Sequence, residues 1–305
     1  MQGTVCFMPK WLILAKHSVF GRGLFMVKDT GLRAEETVFL SGLSGDIMRG
    51  EIEHRFRIID FWKIREGSRI LEIGCGQGET TAALAYTVGE RGFIYGVDVA
   101  DENYGEPETL GRARERLMTS SLGSRINMDF GVNILSDNFD FEENSFDYII
   151  LSHCLWYLVS EKELRNILLK IRPWGRNLCI AEWNPEITDI AQYPHFLAAN
   201  IQAVCESYHI SDHFNIRTMF YPEEIESIAG SCGWDIVKRG DIYSPDVQDA
   251  LWETDIVREI FPSKIRGIRN MPDKLKRLLL MQINSLEQIQ RVDAMSVYAM
   301  VAERL

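Results

Sequence analysis

The chain has 305 residues and a net charge of −11, and 46% of its residues are hydrophobic. This length suits one large domain or two small ones. The acidity and the lack of a Lys/Arg run with interleaved aromatics argue against binding to nucleic acid or to an anionic membrane surface, so a small-molecule partner is expected. The six cysteines lie far apart without a C-x-x-C pair, which indicates reduced thiols, no metal site and a cytoplasmic location.

Residues 1–66 are predicted to form an N-terminal helical or lid segment. The apolar stretch 7–14 is interrupted by proline and lysine and is too short to span a membrane. A cap at 44–46 precedes a predicted helix over Met48–Ile64, with His54 on its polar side. The apolar stripe of this helix is Ile52, Phe56 and Ile59.

The most informative segment is RILEIGCGQG, residues 69–78. Its apolar start predicts a short strand, and glycines at 74, 76 and 78 let the backbone take positive φ and approach a ligand closely. The first N–H groups of the next helix, which starts at Glu79, would point into the same space. The spacing G-x-G-x-G differs from the dinucleotide pattern G-x-G-x-x-G, whose last position would be Glu79, and a carboxylate there would repel a pyrophosphate.

Two acidic residues flank this loop. Glu72 lies at the end of the strand, where it could accept hydrogen bonds from an ammonium group. Asp98 ends the next predicted strand, about twenty residues further on, where a ribose would present its hydroxyls. The pattern therefore predicts a ligand that is a nucleoside carrying an amine.

Strands and helices alternate through the centre of the chain. This order predicts a parallel sheet covered on both faces, with ligands at the carboxyl ends of the strands. The strands are predicted to end near Ile73, Asp98, Val132, Leu151 and Ala181, and the helices to start at Glu79, Leu110 and Glu161.

At these positions the chain resembles the class I S-adenosylmethionine-dependent methyltransferases, whose first motif has the form acid-x-G-x-G-x-G. Asp98 matches the ribose-binding acid of the family, residues 145–153 its fourth strand, and residues 171–182 its helix end, turn and fifth strand. The resemblance covers residues 67–183, the predicted cofactor-binding core. It implies an α/β fold with a Rossmann-like, doubly wound, mostly parallel seven-stranded sheet and helical lid insertions, and S-adenosylmethionine as the cofactor.

The resemblance also assigns cofactor contacts. The glycine loop would hold the methionine end and Asp98 the ribose, while Asn133 stands where the family commonly has an acid that meets the adenine amino group. The polar loop after Asp98 is expected to fold over the ribose or adenine, with Tyr104 or Thr109 on the cofactor; a solvated loop is the alternative. The predicted set is Glu72, Gly74, Cys75, Gly76, Gly78, Asp98, Val99, Tyr104, Thr109, Asn133, Ile134 and Ser152.

The segment that follows the fourth strand is the predicted acceptor site. His153 has a pKa suited to accept a proton near neutral pH, and we expect it to be the catalytic residue; a structural histidine is the alternative. Trp156 and Tyr157 offer flat surfaces to an aromatic substrate or to the sulfonium. Glu182 and His195 are further candidates for substrate contacts, with packing or capping as the alternative.

Two segments exceed the minimal core. Residues 184–220 carry a predicted helix, and residues 221–305 complete the core around a helical insertion at 244–294 that starts at Ser244-Pro245. Other predicted elements are a helix over 222–232, a strand over 234–238 and a strand over 296–302. In the family such insertions form a lid that selects the substrate; a larger core or a homodimer face is the alternative.

We therefore expect a methyltransferase that acts at oxygen, nitrogen or carbon of a small metabolite. A methyltransferase-like protein that uses the cofactor for another transformation, and a protein methyltransferase, are the alternatives. The segments from the Asp98 loop to the lid resemble a subgroup of small-molecule methyltransferase-like proteins, some of them labelled cyclopropane-fatty-acid-synthase-like. No motif in the chain supports lipid cyclopropanation.

Overall fold

The computed structural model describes residues 29–43, 46–105, 108–208, 216–245 and 247–305. Over these ranges it contains one seven-stranded sheet and nine α-helices. The apolar stretch 7–14 and the predicted cap residues 44 and 45 lie outside the described residues.

The strands are β1 (Arg69–Ile73), β2 (Phe93–Val97), β3 (Ile126–Asp129), β4 (Phe146–Ser152), β5 (Gly175–Trp183), β6 (Trp234–Ile242) and β7 (Val297–Arg304). The helices are α1 (Thr30–Ser41), α2 (Asp46–Trp62), α3 (Glu79–Val88), α4 (Leu110–Thr119), α5 (Glu161–Ile171), α6 (Tyr193–Glu206), α7 (Pro222–Ser231), α8 (Asp249–Gly267) and α9 (Asp273–Leu286).

The sheet has the order β3-β2-β1-β4-β5-β7-β6, with β1 to β5 parallel and β7 antiparallel to both of its neighbours. This confirms the predicted α/β fold with a mostly parallel seven-stranded sheet. The strand order reverses between β1 and β4, and ligands bind at such a switch point in open α/β sheets. Glu72 of β1 pairs with Gly96 of β2 on one side and Ile150 of β4 on the other, so the ends of these strands meet at one edge.

The apolar stripe of α2 is buried as predicted, with Ile52, Phe56 and Ile59 at most 1% exposed. The prediction that His54 lies on the polar side of α2 is wrong, because its side chain is fully buried. Helix α2 packs against α1, α3 and β7, and the ring of Trp183 stacks on His54 with centroids 5.7 Å apart. This helix therefore buries more than one face.

Three boundaries differ from the predictions. Strand β3 ends at Asp129 rather than near Val132, since Gly131 has a φ of +68° and turns the chain back toward Asp98. Strand β6 continues to Ile242, well beyond the predicted end. Helix α8 begins at Asp249 instead of Ser244, whose hydroxyl accepts a hydrogen bond of 2.8 Å from Nη1 of Arg57.

Helices α6, α8 and α9 pack together around an apolar cluster of their own, which is distinct from the core of the sheet. Its buried residues are Leu197, Ala198, Ile201, Cys205, Val257, Phe261, Ile265, Ile268, Met271, Leu279, Ile283 and Leu286. The two segments that exceed the minimal core thus form one helical layer.

Candidate active site

The glycine loop between β1 and α3 has the backbone that the sequence predicts. Gly74, Gly76 and Gly78 have φ values of +74°, +51° and +90°. A Cβ at Gly74 would lie 2.5 Å from Cβ of Cys154, and one at Gly78 would lie 2.3 Å from Cδ1 of Leu117, whereas one at Gly76 would meet nothing within 4 Å. The outer two glycines are therefore required by packing, and Gly76 leaves open space beside the backbone, which suits the approach of a ligand.

Asp98 anchors this loop to the end of β2. Its Oδ2 accepts a hydrogen bond of 3.0 Å from the backbone N–H of Gly76, and its Oδ1 accepts one of 2.9 Å from Ala100. Each carboxylate oxygen has a second lone pair for a ligand hydroxyl. The neighbouring Val99 is largely exposed, with 73% of its surface accessible.

Glu72 places a carboxylate beneath the loop with 2% of its surface exposed. Its Oε2 accepts a hydrogen bond of 2.6 Å from the hydroxyl of Thr81 in α3. The pKa of Glu72 is raised to about 8. Burial is the main cause and the charge of Glu79 adds to it, whereas the hydrogen bond from Thr81 lowers the pKa. A cationic group bound here would restore the charged form of Glu72. Cys75 is 5% exposed and packs against Gly96, so it offers the loop its backbone only.

The loop after β2 is tied to the glycine loop. The side-chain amide of Gln77 donates to the backbone oxygen of Glu108, and Glu108 forms an ion pair with Arg116 of α4 at 2.8 Å. Thr109 caps α4, since its hydroxyl accepts a hydrogen bond of 3.4 Å from the N–H of Arg112. Tyr104 has half of its surface exposed beside these residues. The loop is thus held in place next to the predicted ribose site.

After β3 the chain turns back toward Asp98. The N–H of Val132 donates to the backbone oxygen of Asp98 at 2.9 Å. The side-chain oxygen of Asn133 accepts a hydrogen bond of 3.0 Å from Leu135, and one lone pair of this oxygen remains for an adenine amino group. Ile134 is 6% exposed next to it. The predicted adenine contacts therefore come close to Asp98, and the adenine contact itself stays a prediction.

His153 follows β4 with a φ of +51°, which is unusual for a residue other than glycine. Its Nε2 lies 3.1 Å from Nε2 of His54, and its ring packs on Trp183 with centroids 4.6 Å apart. Burial lowers the pKa of His153 well below its ordinary value, and the charge of Arg55 lowers it further. The imidazole is therefore neutral near pH 7 and has a lone pair that can accept a proton.

Glu182 organises the turn after β4. Its Oε2 accepts hydrogen bonds from the N–H groups of Leu155 at 2.9 Å and Trp156 at 3.3 Å, and its Oε1 lies 3.7 Å from Nδ1 of His153. Burial raises the pKa of Glu182 to about 7, although these backbone bonds lower it. This carboxylate thus connects β5 to the segment that carries His153 and Tyr157.

The remaining acceptor-site candidates differ in exposure. Trp156 is 1% exposed, whereas Tyr157 has 48% of its surface accessible and is the aromatic residue of this turn that offers a surface to a ligand. His195 is fully buried; its Nδ1 accepts a hydrogen bond of 3.1 Å from the N–H of Met295, and its ring meets Trp183 edge-on. Ser152, at the end of β4, is 7% exposed.

Sequence reasoning missed Arg55 on α2. Arg55 is 9% exposed, and its Nε and Nη1 have no hydrogen-bond partner among the described residues. Its charge lowers the pKa of five carboxyls, those of Glu51, Glu72, Glu79, Glu182 and Asp249. Its spacing of three residues from Ile52 and four from Ile59 places Arg55 at the edge of the apolar stripe of α2, and its spacing of four from Glu51 is common on exposed helix surfaces. Neither spacing identifies a cation that acts on several carboxyls.

No group of three or more His, Cys, Asp or Glu side chains among the described residues is arranged to hold a metal ion. No helix in the part of the chain that the structure describes is long and apolar enough to cross a membrane.

Residues 70–176 match the family model of a methyltransferase domain. Over 150 residues the chain is 29% identical to the ubiquinone/menaquinone biosynthesis C-methyltransferase UbiE of Vibrio cholerae, and this match covers 48% of this chain and 54% of that relative. Over 139 residues the chain is 27% identical to a demethylmenaquinone methyltransferase of Staphylococcus aureus, and this match covers 44% of this chain and 51% of that relative. The chain spans about half the length of the curated relatives it matches.

The family model and these relatives confirm the prediction of a methyltransferase domain that uses S-adenosylmethionine, over the matched residues. Across most of its length the chain is similar to a cyclopropane-fatty-acyl-phospholipid synthase-like protein from Lactobacillus casei. The two are 27% identical with a TM-score of 0.77, and the match covers 88% of this chain and 99% of that chain. The similarity therefore extends beyond the matched domain.

Proposed function

We propose that the protein transfers a methyl group from S-adenosylmethionine to a small-molecule acceptor. The observation that carries this proposal is the open space at Gly76, which adjoins the carboxylate of Asp98. Glu72, at the end of the same strand, keeps a buried carboxyl whose pKa of about 8 would fall on contact with an ammonium group. These features fit a nucleoside with an amino acid end better than a pyrophosphate.

In this proposal Glu72 binds the ammonium group of the methionine end, and Asp98 binds the two ribose hydroxyls. Asn133 and Ile134 contact the adenine, with Val99 and Tyr104 at its exposed side. Thr109, at the start of α4, and Ser152, at the end of β4, are further proposed contacts of the cofactor. When bound, the cofactor supplies an electrophilic methyl group on a sulfonium.

His153 is proposed as the base that takes a proton from the acceptor. Its neutral imidazole follows β4, and Glu182 lies 3.7 Å from its Nδ1, where a carboxylate would stabilise the protonated ring. Tyr157 would give the acceptor a flat surface. The turn that bears these side chains is fixed by the hydrogen bonds of Glu182, so it is arranged before the acceptor binds.

Helices α6, α8 and α9 are proposed to form the substrate lid together with α1 and α2, the described helices of the N-terminal segment. The N–H of Gln248, at the start of α8, donates a hydrogen bond of 2.8 Å to Oε1 of Glu51 on α2, and this contact joins the two parts of the proposed lid. A closed lid would exclude water from the reacting groups. The quinone-biosynthesis methyltransferases that the chain resembles support a small molecule as the acceptor.

Isotope transfer tests this proposal. The protein is incubated with S-adenosylmethionine labelled on its methyl carbon and with a total metabolite extract, and the small-molecule products are analysed by mass spectrometry. We expect at least one product that has gained one labelled methyl group, and its loss in the Asp98→Ala variant. Binding of the cofactor without any labelled product would contradict methyl transfer to a small molecule.

A further inference from the structure

Three carboxylates from three different elements converge on the acceptor side. Glu51 comes from α2, Glu182 from the end of β5 and Asp249 from the first turn of α8. The hydrogen bond from Gln248 to Glu51 brings the start of α8 to α2. The charge of Asp249 acts on Glu51, and that of Glu182 acts on Asp249, so Asp249 lies within electrostatic range of both other carboxyls. We call Glu51, Glu182 and Asp249 the acidic cluster.

Arg55 forms a long ion pair with Glu51 of the acidic cluster but no hydrogen bond to it. Its Nη2 is 3.9 Å from Oε2 of Glu51, beyond hydrogen-bond distance, and its buried Nε and Nη1 have no partner among the described residues. A buried guanidinium ordinarily saturates its hydrogen bonds, because an unpaired one is costly. A buried arginine whose Nε and Nη1 have no partner among the described residues, beside a carboxylate to which it makes no hydrogen bond, indicates a site completed by a ligand.

The charges of this site do not balance. The charge of Arg55 acts on the carboxyls of Glu51, Glu182 and Asp249 and also on those of Glu72 and Glu79, so the acidic groups outnumber this cation. Burial raises the pKa of Glu51 to about 7 and that of Glu182 to about 7, against the lowering effect of the charge of Arg55. Tyr157 adds an exposed ring within range of Asp249, and aromatic faces attract cations.

We propose that the methyl acceptor carries a protonated amine, bound among the carboxylates of Glu51, Glu182 and Asp249, and an oxygen group that accepts hydrogen bonds from Arg55. This inference rests on the proposed function, since it names the class of acceptor for the same reaction. The ammonium of the cofactor is assigned to Glu72 on β1, so the acidic cluster remains available to a second cation. The inference concerns the group by which the acceptor is bound, a basic nitrogen, and it applies whether the methyl group goes to oxygen, nitrogen or carbon of that molecule.

The test separates the acceptors by charge. A total metabolite extract is divided by ion exchange at pH 7 into a cationic fraction, a fraction without net charge that includes zwitterions, and an anionic fraction, and each is incubated with the protein and methyl-labelled S-adenosylmethionine. We expect label in molecules that contain a basic amine, in the cationic fraction or among the zwitterions. Label only in molecules without a basic nitrogen would overturn the inference and leave the proposed function intact. No label in any fraction would contradict the proposed function, and the inference would fall with it.

Variants then test the site with the labelled amine as the substrate. Asp249→Asn and Glu51→Gln should each raise KM at least tenfold while changing kcat less than threefold, with S-adenosylhomocysteine affinity within twofold of the parent. Glu259→Gln, at an exposed position on α8, the helix of Asp249, is the matched control and should change none of these values. Because the charged forms of Glu51 and Asp249 are disfavoured by burial, neither amide should lower the melting temperature. An unchanged KM in both variants would overturn the inference.

Discussion

The cofactor side and the acceptor side of the active site are built in different ways. On the cofactor side, Glu72, the three glycines and Asp98 come from one strand, one loop and the end of the adjacent strand, and backbone hydrogen bonds hold them together. On the acceptor side, His54, Arg55 and Asp249 come from helices outside the matched domain and meet His153 and Glu182 in space. The first arrangement is set by local sequence, and the second requires tertiary packing.

The two sides also differ in how their charges are satisfied. Both oxygens of Asp98 accept backbone hydrogen bonds, whereas Arg55 has two nitrogens without a partner among the described residues. In the proposed function, the cofactor side is therefore preformed, and the acceptor side is completed by its ligand. Changes on the two sides should therefore have different effects on stability, binding and turnover.

The largest expected effect concerns two glycines of the same loop. Gly78→Ala should lower the free energy of unfolding by about 3 kcal/mol, because its Cβ would lie 2.3 Å from Leu117 at a φ of +90°. Gly76→Ala should cost about 1 kcal/mol of stability, since its Cβ meets no atom within 4 Å, yet it should weaken cofactor binding at least tenfold. Urea denaturation and calorimetry measure the two effects. Equal stability losses with equal affinity would contradict the assignment of Gly76 to the ligand.

His153 should affect turnover rather than binding. His153→Asn is the suitable variant, because asparagine tolerates the left-handed backbone that His153 adopts at a φ of +51°. Turnover should fall by about a hundredfold or more, with cofactor affinity nearly unchanged, since general bases contribute roughly 10² to 10⁴. Steady-state kinetics and calorimetry check this once an acceptor is identified. A parallel loss of melting temperature and cofactor affinity would instead assign His153 a structural role.

Asp98 should affect binding of the cofactor rather than turnover. Asp98→Ala should weaken cofactor binding by roughly 1.5 to 3 kcal/mol, the scale of hydrogen bonds lost to a charged acceptor, and the protein should still fold. Asp137→Ala, at an exposed position in the loop after β3, is the control and should bind the cofactor as the parent does. If Asp98→Ala also binds like the parent, the ribose is held elsewhere.

The smallest expected effect is a pH dependence that Glu72 imposes. Its pKa of about 8 in the free protein lies above the ordinary value, so stability that the protonated carboxyl provides is lost as the pH rises toward 8. An ammonium ligand requires the charged carboxylate, so cofactor affinity should rise between pH 6 and 7.5, by at most about tenfold per pH unit. Calorimetry across this range should give a weaker, flat profile for Glu72→Gln. A parent profile without slope would remove Glu72 from the ammonium site.

Much of the fold follows from local sequence. Helices α3, α4 and α5 begin at Glu79, Leu110 and Glu161 as predicted, because glycine, threonine and serine residues precede them in capping positions. The end of β3 was misplaced, since the positive φ of Gly131 is a property of the turn that binds back to Asp98. Local sequence propensities do not predict such hydrogen bonds between residues that are far apart in the sequence.

The acceptor side shows the limit of this reasoning. His54 lies opposite the apolar stripe of α2, so the helical period assigns it to the solvent, whereas Arg55 flanks the stripe, three residues after Ile52 and four before Ile59. Both are buried because a second layer of structure, including Trp183 and the start of α8, covers that face of α2. The residue spacing within α2 does not show that Trp183 and the start of α8 cover this face. The places of Arg55 and His54 in the candidate site therefore emerged only from the structure.

The central claim is that the glycine loop holds an amino acid end rather than a pyrophosphate. Isothermal titration of the protein with S-adenosylmethionine, S-adenosylhomocysteine and NAD tests it most directly. The account predicts binding of both sulfur nucleosides and no binding of NAD, because Glu72 and Glu79 attract an ammonium group and repel phosphates. Comparable binding of NAD, or binding of neither sulfur nucleoside, would contradict it.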